Sequence, residues 1–169
     1  MDKSKAKCVA VIQCSVAHER CAGVACAGSF AQRKGYFAGY APAALPIGVP
    51  ASGAADGVAS STPGEAYYVP FGCGGCPGRR VGRLLANVKR QIKRLHGVEP
   101  DEIIVHLATC IVGDNGHYTP CPFVKDIKTM IARKGLHFVE GSLHSRDPGA
   151  MKKQEAGVYA PLPPLDNFT

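Results

Sequence analysis

Cysteines recur in this chain just where strand-like stretches end. Cys14 follows the apolar run Val9-Ala10-Val11-Ile12. Cys73 and Cys76, in Cys73-Gly74-Gly75-Cys76-Pro77-Gly78, follow Tyr67-Tyr68-Val69, and Cys110 follows Ile103-Ile104-Val105-His106-Leu107. His144 closes the series after Phe138-Val139. If these strands run parallel, their C-terminal ends share one edge of a sheet, and residues distant in sequence meet there. Thiols gathered in that way point to metal coordination or to redox chemistry.

The Cys73-x-x-Cys76 pair can chelate one metal, because the two glycines between let both sulfurs turn to one side. Pro77 fits the first turn of a following helix, so the pair is expected at a helix N-terminus, where the dipole and free N–H groups favour thiolate. A strand, a CxxC and a helix are equally the setting of a thioredoxin-like dithiol, with Cys73 attacking and Cys76 resolving. The company of Cys14, Cys110 and Cys121 at the same edge favours a metal, since several thiolates in one pocket repel without a cation. A thiolate-rich tetrahedral site selects zinc, and an iron–sulfur cluster is the second candidate. Cys14, Cys73, Cys76, Cys110, Cys121 and His144 are the leading ligands, with Cys21 and Cys26 behind them. Six ligands exceed one four-coordinate site, so some are spare, a second site exists, or a cluster is held.

Other cysteines and histidines read more simply. Cys8, at the start of a buried strand, is a small core residue. Cys21 and Cys26 are five apart and would not share one helix face. His106 alternates within a strand and is expected under cover. His18 and His117, in loops near Cys14 and Cys110, could orient a ligand. His96 and His137 read as structural or exposed.

The elements that would position these groups alternate. Cys8 to Gln13 is a first buried strand. Residues from about Arg20 to Phe37 carry a weak helical pattern interrupted by Gly23, Gly28 and Gly35. Ala66 to Gly72 is the second strand. Val81, Leu84, Leu85, Val88, Ile92 and Leu95 then form an amphipathic stripe stopped by Gly97. Glu102 to Leu107 is the third strand. Cys121-Pro122 opens another helix through Phe123, Val124, Ile127, Met130 and Ile131, and Leu136 to Val139 is the fourth strand. The order predicts a three-layer α/β domain with a mostly parallel four-stranded sheet, flavodoxin-like in order 2-1-3-4, and the site at its C-terminal strand edge. That domain would span residues 1–145. Residues 41–65, rich in Ala, Pro, Gly and Ser, read as a flexible insertion, and 146–169 as an extended proline-rich tail.

A chain of 169 residues with 46% apolar content can bury a core without staples. No apolar run approaches the roughly 20 residues that cross a bilayer, and the run after Met1–Lys5 is too short for a signal peptide. The expectation is a cytoplasmic protein, where eight cysteines are metal ligands or redox thiols rather than disulfides. Much of the net charge of +7 falls on Arg79, Arg80, Arg83, Lys89, Arg90, Lys93 and Arg94. This is a solvated helix face, or else a surface for an acidic protein partner. No aromatic residue interleaves with these charges, which argues against nucleic acid. A third reading is therefore an interaction module with buried thiols.

Taken together, strand–Cys14, the Cys21/Cys26 segment ending in Lys34-Gly35-Tyr36-Phe37, Phe71-Gly72-Cys73-Gly74-Gly75-Cys76-Pro77-Gly78-Arg79, Leu107-Ala108-Thr109-Cys110, Cys121-Pro122 and Gly141-x-x-His144 resemble the CGGC-domain family. The resemblance covers roughly residues 8 to 144. It implies a small cytoplasmic protein that binds a metal, zinc foremost. It also implies that Cys14, Cys73, Cys76, Cys110, Cys121 and His144 are site positions, with Cys21 and Cys26 matching too. The insertion at 41–65 and the tail depart from the family pattern. No activity comes with the resemblance.

Overall fold

The computed structural model describes residues 2–41, 66–113 and 120–142. Nearly all of the 41–65 insertion, the 146–169 tail, His117 and His144 lie outside them. Four strands, β1 (Cys8–Gln13), β2 (Tyr67–Gly72), β3 (Ile103–Leu107) and β4 (His137–Glu140), form one sheet in the order β2-β1-β3-β4. Every pairing is parallel. The predicted order holds, and the sheet is wholly rather than mostly parallel. In register, Ile12 lies between Phe71 and Leu107, and Leu107 beside Glu140. All four strands therefore end at one edge.

A central strand covered on both faces needs an unbroken apolar run. β1 supplies it, with every residue buried. Its alternation splits the core in two. Cys8, Ala10 and Ile12 pack with Val81, Leu85 and Ile92 of α2 (Val81–His96) and with Ile127 and Ile131 of α4 (Val124–Arg133). Val9 and Val11 pack on the other face with Phe30 of α1 (Val24–Ala31), and with Phe37, Tyr40 and Tyr68. Helices thus cover both faces. Burying each large aliphatic side chain contributes roughly 1.5–3 kcal/mol, so the two central strands β1 and β3, both buried throughout, contribute most to the sheet's stability.

The weak pattern over Arg20–Phe37 resolves into α1 and a separate 3-10 turn at Gly35–Phe37. Gly23 ends up as the N-cap residue at φ 73°. The left-handed backbone calls for glycine there, and a Cβ would also meet the Gln13 amide at 2.7 Å and push that side chain aside. The stripe on α2 is as expected, except that Leu95 stays 60% exposed. Gly97 stops this helix in the left-handed conformation, its N–H bonded to the Lys93 carbonyl.

Helix starts differ from expectation, and α4 begins at Val124 rather than at Cys121-Pro122, which lie in the turn before it. α2 begins at Val81, so Gly78-Arg79-Arg80 separate it from Cys76-Pro77, whose peptide bond is cis. The CGGC pair is therefore set back from the helix N-terminus. Positive φ at Gly74, Gly75 and Gly78 accompanies this, because a left-handed residue cannot lie inside a right-handed helix and the chain turns here before α2 starts. Cys110 also sits inside a four-residue helix, α3 (Thr109–Val112), that the strand pattern did not predict.

Candidate functional site

At the C-terminal edge the chain leaves β1 toward β2 on one side and meets β3 on the other. This is the switch point of the sheet, where open α/β folds leave a crevice. Cys14 and Cys110 flank it. The Cys14 backbone N–H donates to Cys110 Sγ at 3.2 Å. The next amide, of Ser15, donates to Cys73 Sγ at 3.5 Å. Two consecutive amides of the loop after β1 thus hold sulfurs delivered by β2 and β3. Ser15 Oγ accepts from the Gly74 N–H at 2.8 Å and lies 3.6 Å from Cys73 Sγ, tying the CGGC turn to the same loop. Gly72 leaves room for this hydroxyl, since a Cβ there would fall 2.8 Å from it.

Two further cysteines approach from either side. The Cys121 N–H donates to the Ile111 carbonyl at 2.8 Å, which brings Cys121 back beside α3. On the other side Cys26 of α1 is buried, its sulfur 3.2 Å from Ser142 Oγ. Ser142 Oγ accepts from the Thr109 N–H at 3.1 Å, and Ser142 N–H donates to Thr109 Oγ1 at 3.2 Å. The end of β4 is thereby clamped to the residue preceding Cys110. Cys21 lies just before α1 and is half-buried. Gln13 is buried, and its Oε1 lies 2.8 Å from His18 Nε2.

The sulfurs feel one another. Burial pushes the Cys110 thiol up to about 11; the Cys14 N–H pulls the other way, and negative charge at Cys14, Cys26 and Cys21 raises it further. Burial also raises Cys121, with Cys76, Cys14 and Cys73 adding to it against a backbone hydrogen bond. Cys26 is raised by burial, opposed by hydrogen bonds to Ser142 and Gln13. Cys8 is different: fully buried within β1 and pushed to about 12, it is the core residue its position predicted.

Among the predicted ligands, Cys110 and Cys73 accept from the consecutive amides of Cys14 and Ser15, and Cys121 lies close enough to Cys76, Cys14 and Cys73 for their charge to act on it. Cys73 is buried and Cys76 exposed, the reverse of what the attacking-and-resolving assignment requires. His144 lies outside the described residues. Among the described residues, no three His, Cys, Asp or Glu side chains are already posed around an ion position. The donor chemistry fits a thiophilic ion, since the gathered side chains are thiols that receive N–H donors. The side chains would have to turn to coordinate one.

His106 is closed off by contrast, as its place in the strand predicted. One ring nitrogen, Nδ1, lies 2.7 Å from the Gly141 carbonyl and the other, Nε2, 2.7 Å from Tyr40 Oη. Phe37 lies over it, with ring centroids 4.6 Å apart. His96 stacks on Tyr67 at 4.1 Å, and His137 is exposed. Sequence reasoning did not single out Ser15 or Ser142. The only signal was position, since Ser15 directly follows the first strand-end cysteine and Ser142 precedes His144 by two.

Fold and edge define a class: a three-layer parallel α/β protein whose strand ends carry clustered free cysteines. Residues 60–143 match the CGGC domain, and the chain belongs to the CGGC-domain family. The domain is cysteine-rich in a way that suggests metal binding. The match contains Cys73, Cys76, Cys110 and Cys121, while β1 with Cys14, and Cys21, Cys26 and His144, fall outside it. No curated protein and no solved structure matches the chain. Among the described residues, no helix is long and apolar enough to cross a membrane.

Proposed function

We propose that this chain is a cytoplasmic metal-binding protein whose ligands are thiolates at the C-terminal edge of the sheet. Cys14, Cys73, Cys76, Cys110 and Cys121 are its donors, with His144, Cys21 and Cys26 available to complete or extend the set. The observation that carries this reading is the pair of consecutive amides, Cys14 N–H to Cys110 Sγ at 3.2 Å and Ser15 N–H to Cys73 Sγ at 3.5 Å. Amide donors to sulfur neutralise part of a thiolate's charge and tune thiolate-bound metals. Thiols this close ionise together only with a cation among them. Zinc is the leading ion and an iron–sulfur cluster the second. A fully ligated zinc ion would be structural, whereas an open position or a cluster would serve sensing or electron transfer.

The test is metal analysis with an absorption spectrum, on full-length protein purified without oxygen and without added metal. Colourless protein with about one zinc per chain supports a single tetrahedral site. Brown protein with iron and acid-labile sulfide replaces zinc by a cluster. Metal-free protein sinks the proposal.

The exposure of Cys76 against the burial of Cys73 favours one second reading, a dithiol oxidoreductase. The Cys76 thiolate would attack a partner disulfide and release one partner thiolate. Cys73 would then attack the mixed disulfide, freeing the reduced partner and leaving a Cys73–Cys76 disulfide. On this reading Cys73→Ser, rather than Cys76→Ser, accumulates mixed disulfides.

A further inference from the structure

Away from the cysteines, an apolar groove of about 340 Å³ runs between α2 and the edge strand β2. Val69 and Phe71 form one bank and Leu84, Val88 and Leu95 the other. Leu95 is 60% exposed and Leu84 and Val88 are half-buried, whereas Val81, Leu85 and Ile92 of the same stripe are buried. Among the described residues this apolar groove is unfilled, and apolar surface rimmed by polar groups is the form an interaction site takes.

The charge beside it says what fits. On a helix of 3.6 residues per turn, Arg83, Arg90 and Arg94 fall on the stripe immediately to the solvent side of Leu84, Asn87, Gln91 and Leu95. Two of these arginines are held by neutral groups: Arg90 Nη2 donates to Asn87 Oδ1 at 2.7 Å and Arg94 Nη2 to Gln91 Oε1 at 3.0 Å. Both acceptors line the groove, so the guanidinium groups lie along its rim. α2 contains no acidic residue at all. Its Lys93 is paired with Glu99 and its Lys89 donates to the Lys134 carbonyl. Among the described residues, no carboxylate pairs with Arg83, Arg90 or Arg94.

The edge strand excludes one mode of docking. Tyr67 and Cys73 donate their N–H groups inward to Lys7 and Gln13, so the odd residues of β2 bond β1 and the even ones face the open edge. Pro70 is among the even ones and has no N–H to give. An added strand would meet a gap in the middle of its ladder. What remains is a concave apolar trench with a cationic rim, the complement of an amphipathic helix with acidic flanks. We propose that this groove docks an acidic amphipathic helix of a partner protein, its apolar face on Val69, Phe71, Leu84, Val88 and Leu95 and its carboxylates on Arg83, Arg90 and Arg94. The proposal stands apart from whichever ion or redox chemistry the cysteines serve.

The probe is a synthetic 18-residue helical peptide with leucines along one face and glutamates on the flanks, titrated into the ¹⁵N-labelled full-length protein. The control peptide has lysine in place of glutamate. The amide shifts are expected to concentrate at Val69, Phe71, Leu84, Val88 and Leu95, with affinity falling steeply as salt rises. The double change Arg90→Glu with Arg94→Glu is expected to weaken binding about tenfold or more. Leu95→Ser, at an exposed position that leaves the fold intact, weakens it independently of salt. Four outcomes overturn the proposal. They are equal binding of the lysine peptide, shifts scattered or centred elsewhere, groove shifts that track protein concentration and so report a second copy, and groove shifts with anionic vesicles or duplex RNA but none with the glutamate peptide.

Discussion

Two polar regions of this molecule are buried in different ways. Around His106 every polar contact is short and directional: Gly141 carbonyl on one ring nitrogen, Tyr40 hydroxyl on the other, both at 2.7 Å. At the cysteine edge the acceptor is sulfur, which binds a proton donor weakly at any distance: 3.2 Å from the Cys14 N–H to Cys110 Sγ, 3.5 Å from the Ser15 N–H to Cys73 Sγ. A fully satisfied buried group has no capacity left for a ligand, and its role is to fix packing. Weakly satisfied thiols that raise one another's proton affinity retain that capacity. The contrast assigns structure to the histidine and chemistry to the cysteines.

Separate substitutions test that division, and the largest effect is expected at the switch point. Cys14→Ser and Cys110→Ser should each abolish metal binding, taking the content from about one ion per chain to near none, because a serine hydroxyl is a poor substitute for thiolate. Metal analysis of each purified variant reads this directly, and either variant retaining full metal breaks the assignment. A dithiol enzyme would barely register these two changes.

Next in size is His106→Leu. It leaves the Gly141 carbonyl and the Tyr40 hydroxyl buried without partners, at about 1–3 kcal/mol each, so an overall loss of about 3 kcal/mol or more is expected in denaturant unfolding. Metal content should stay unchanged. Loss of metal together with stability would erase the difference between the two regions.

His106 also predicts a pH dependence. Burial holds its pKa down at about 4, against 6.5 for a free imidazole; the hydrogen bond to Gly141 opposes this, and the Lys3 charge adds to it. Between these values the unfolded chain binds a proton that the folded one refuses. Stability contributed by the neutral ring is therefore complete above pH 6.5 and falls as the pH drops toward 4, by on the order of 3 kcal/mol. His106→Gln keeps a donor and an acceptor but does not titrate. Unfolding midpoints from pH 7 to 4 should fall more steeply in the native sequence than in this variant, and equal slopes would show that the ring is not held neutral.

How much of this was legible in the sequence follows the same physics. The strand order was, because the buried runs Val9–Ile12 and Ile103–Leu107 and the stripe on α2 are periodic signals that core packing enforces. The convergence of Cys14, Cys73 and Cys110 was also legible, since parallel strands dictate it. The detail of the CGGC turn was not. That α2 waits until Val81 goes with left-handed glycines at Gly74, Gly75 and Gly78, and a glycine in sequence announces freedom without saying which conformation it takes. Nor could the sequence show which of Cys73 and Cys76 faces water, because that depends on the same turn and on Ser15, brought there from 58 residues away.

Ser15 carries the smallest expected effect and the finest test. Its hydroxyl accepts the Gly74 N–H at 2.8 Å and stands 3.6 Å from Cys73 Sγ, so its side chain helps bind the loop after β1 to the CGGC turn. Ser15→Ala removes that acceptor but leaves the backbone donor to Cys73 in place. The Gly74 N–H is exposed and can turn to water, which limits the loss of stability to about 1 kcal/mol or less. The reactivity of Cys73 toward a thiol reagent should nevertheless rise, because the turn over this buried sulfur is held by fewer contacts. A change in stability without a change in Cys73 reactivity would make Ser15 a simple turn residue. A change in reactivity with stability intact would place it as the residue that sets the position of this sulfur in the site.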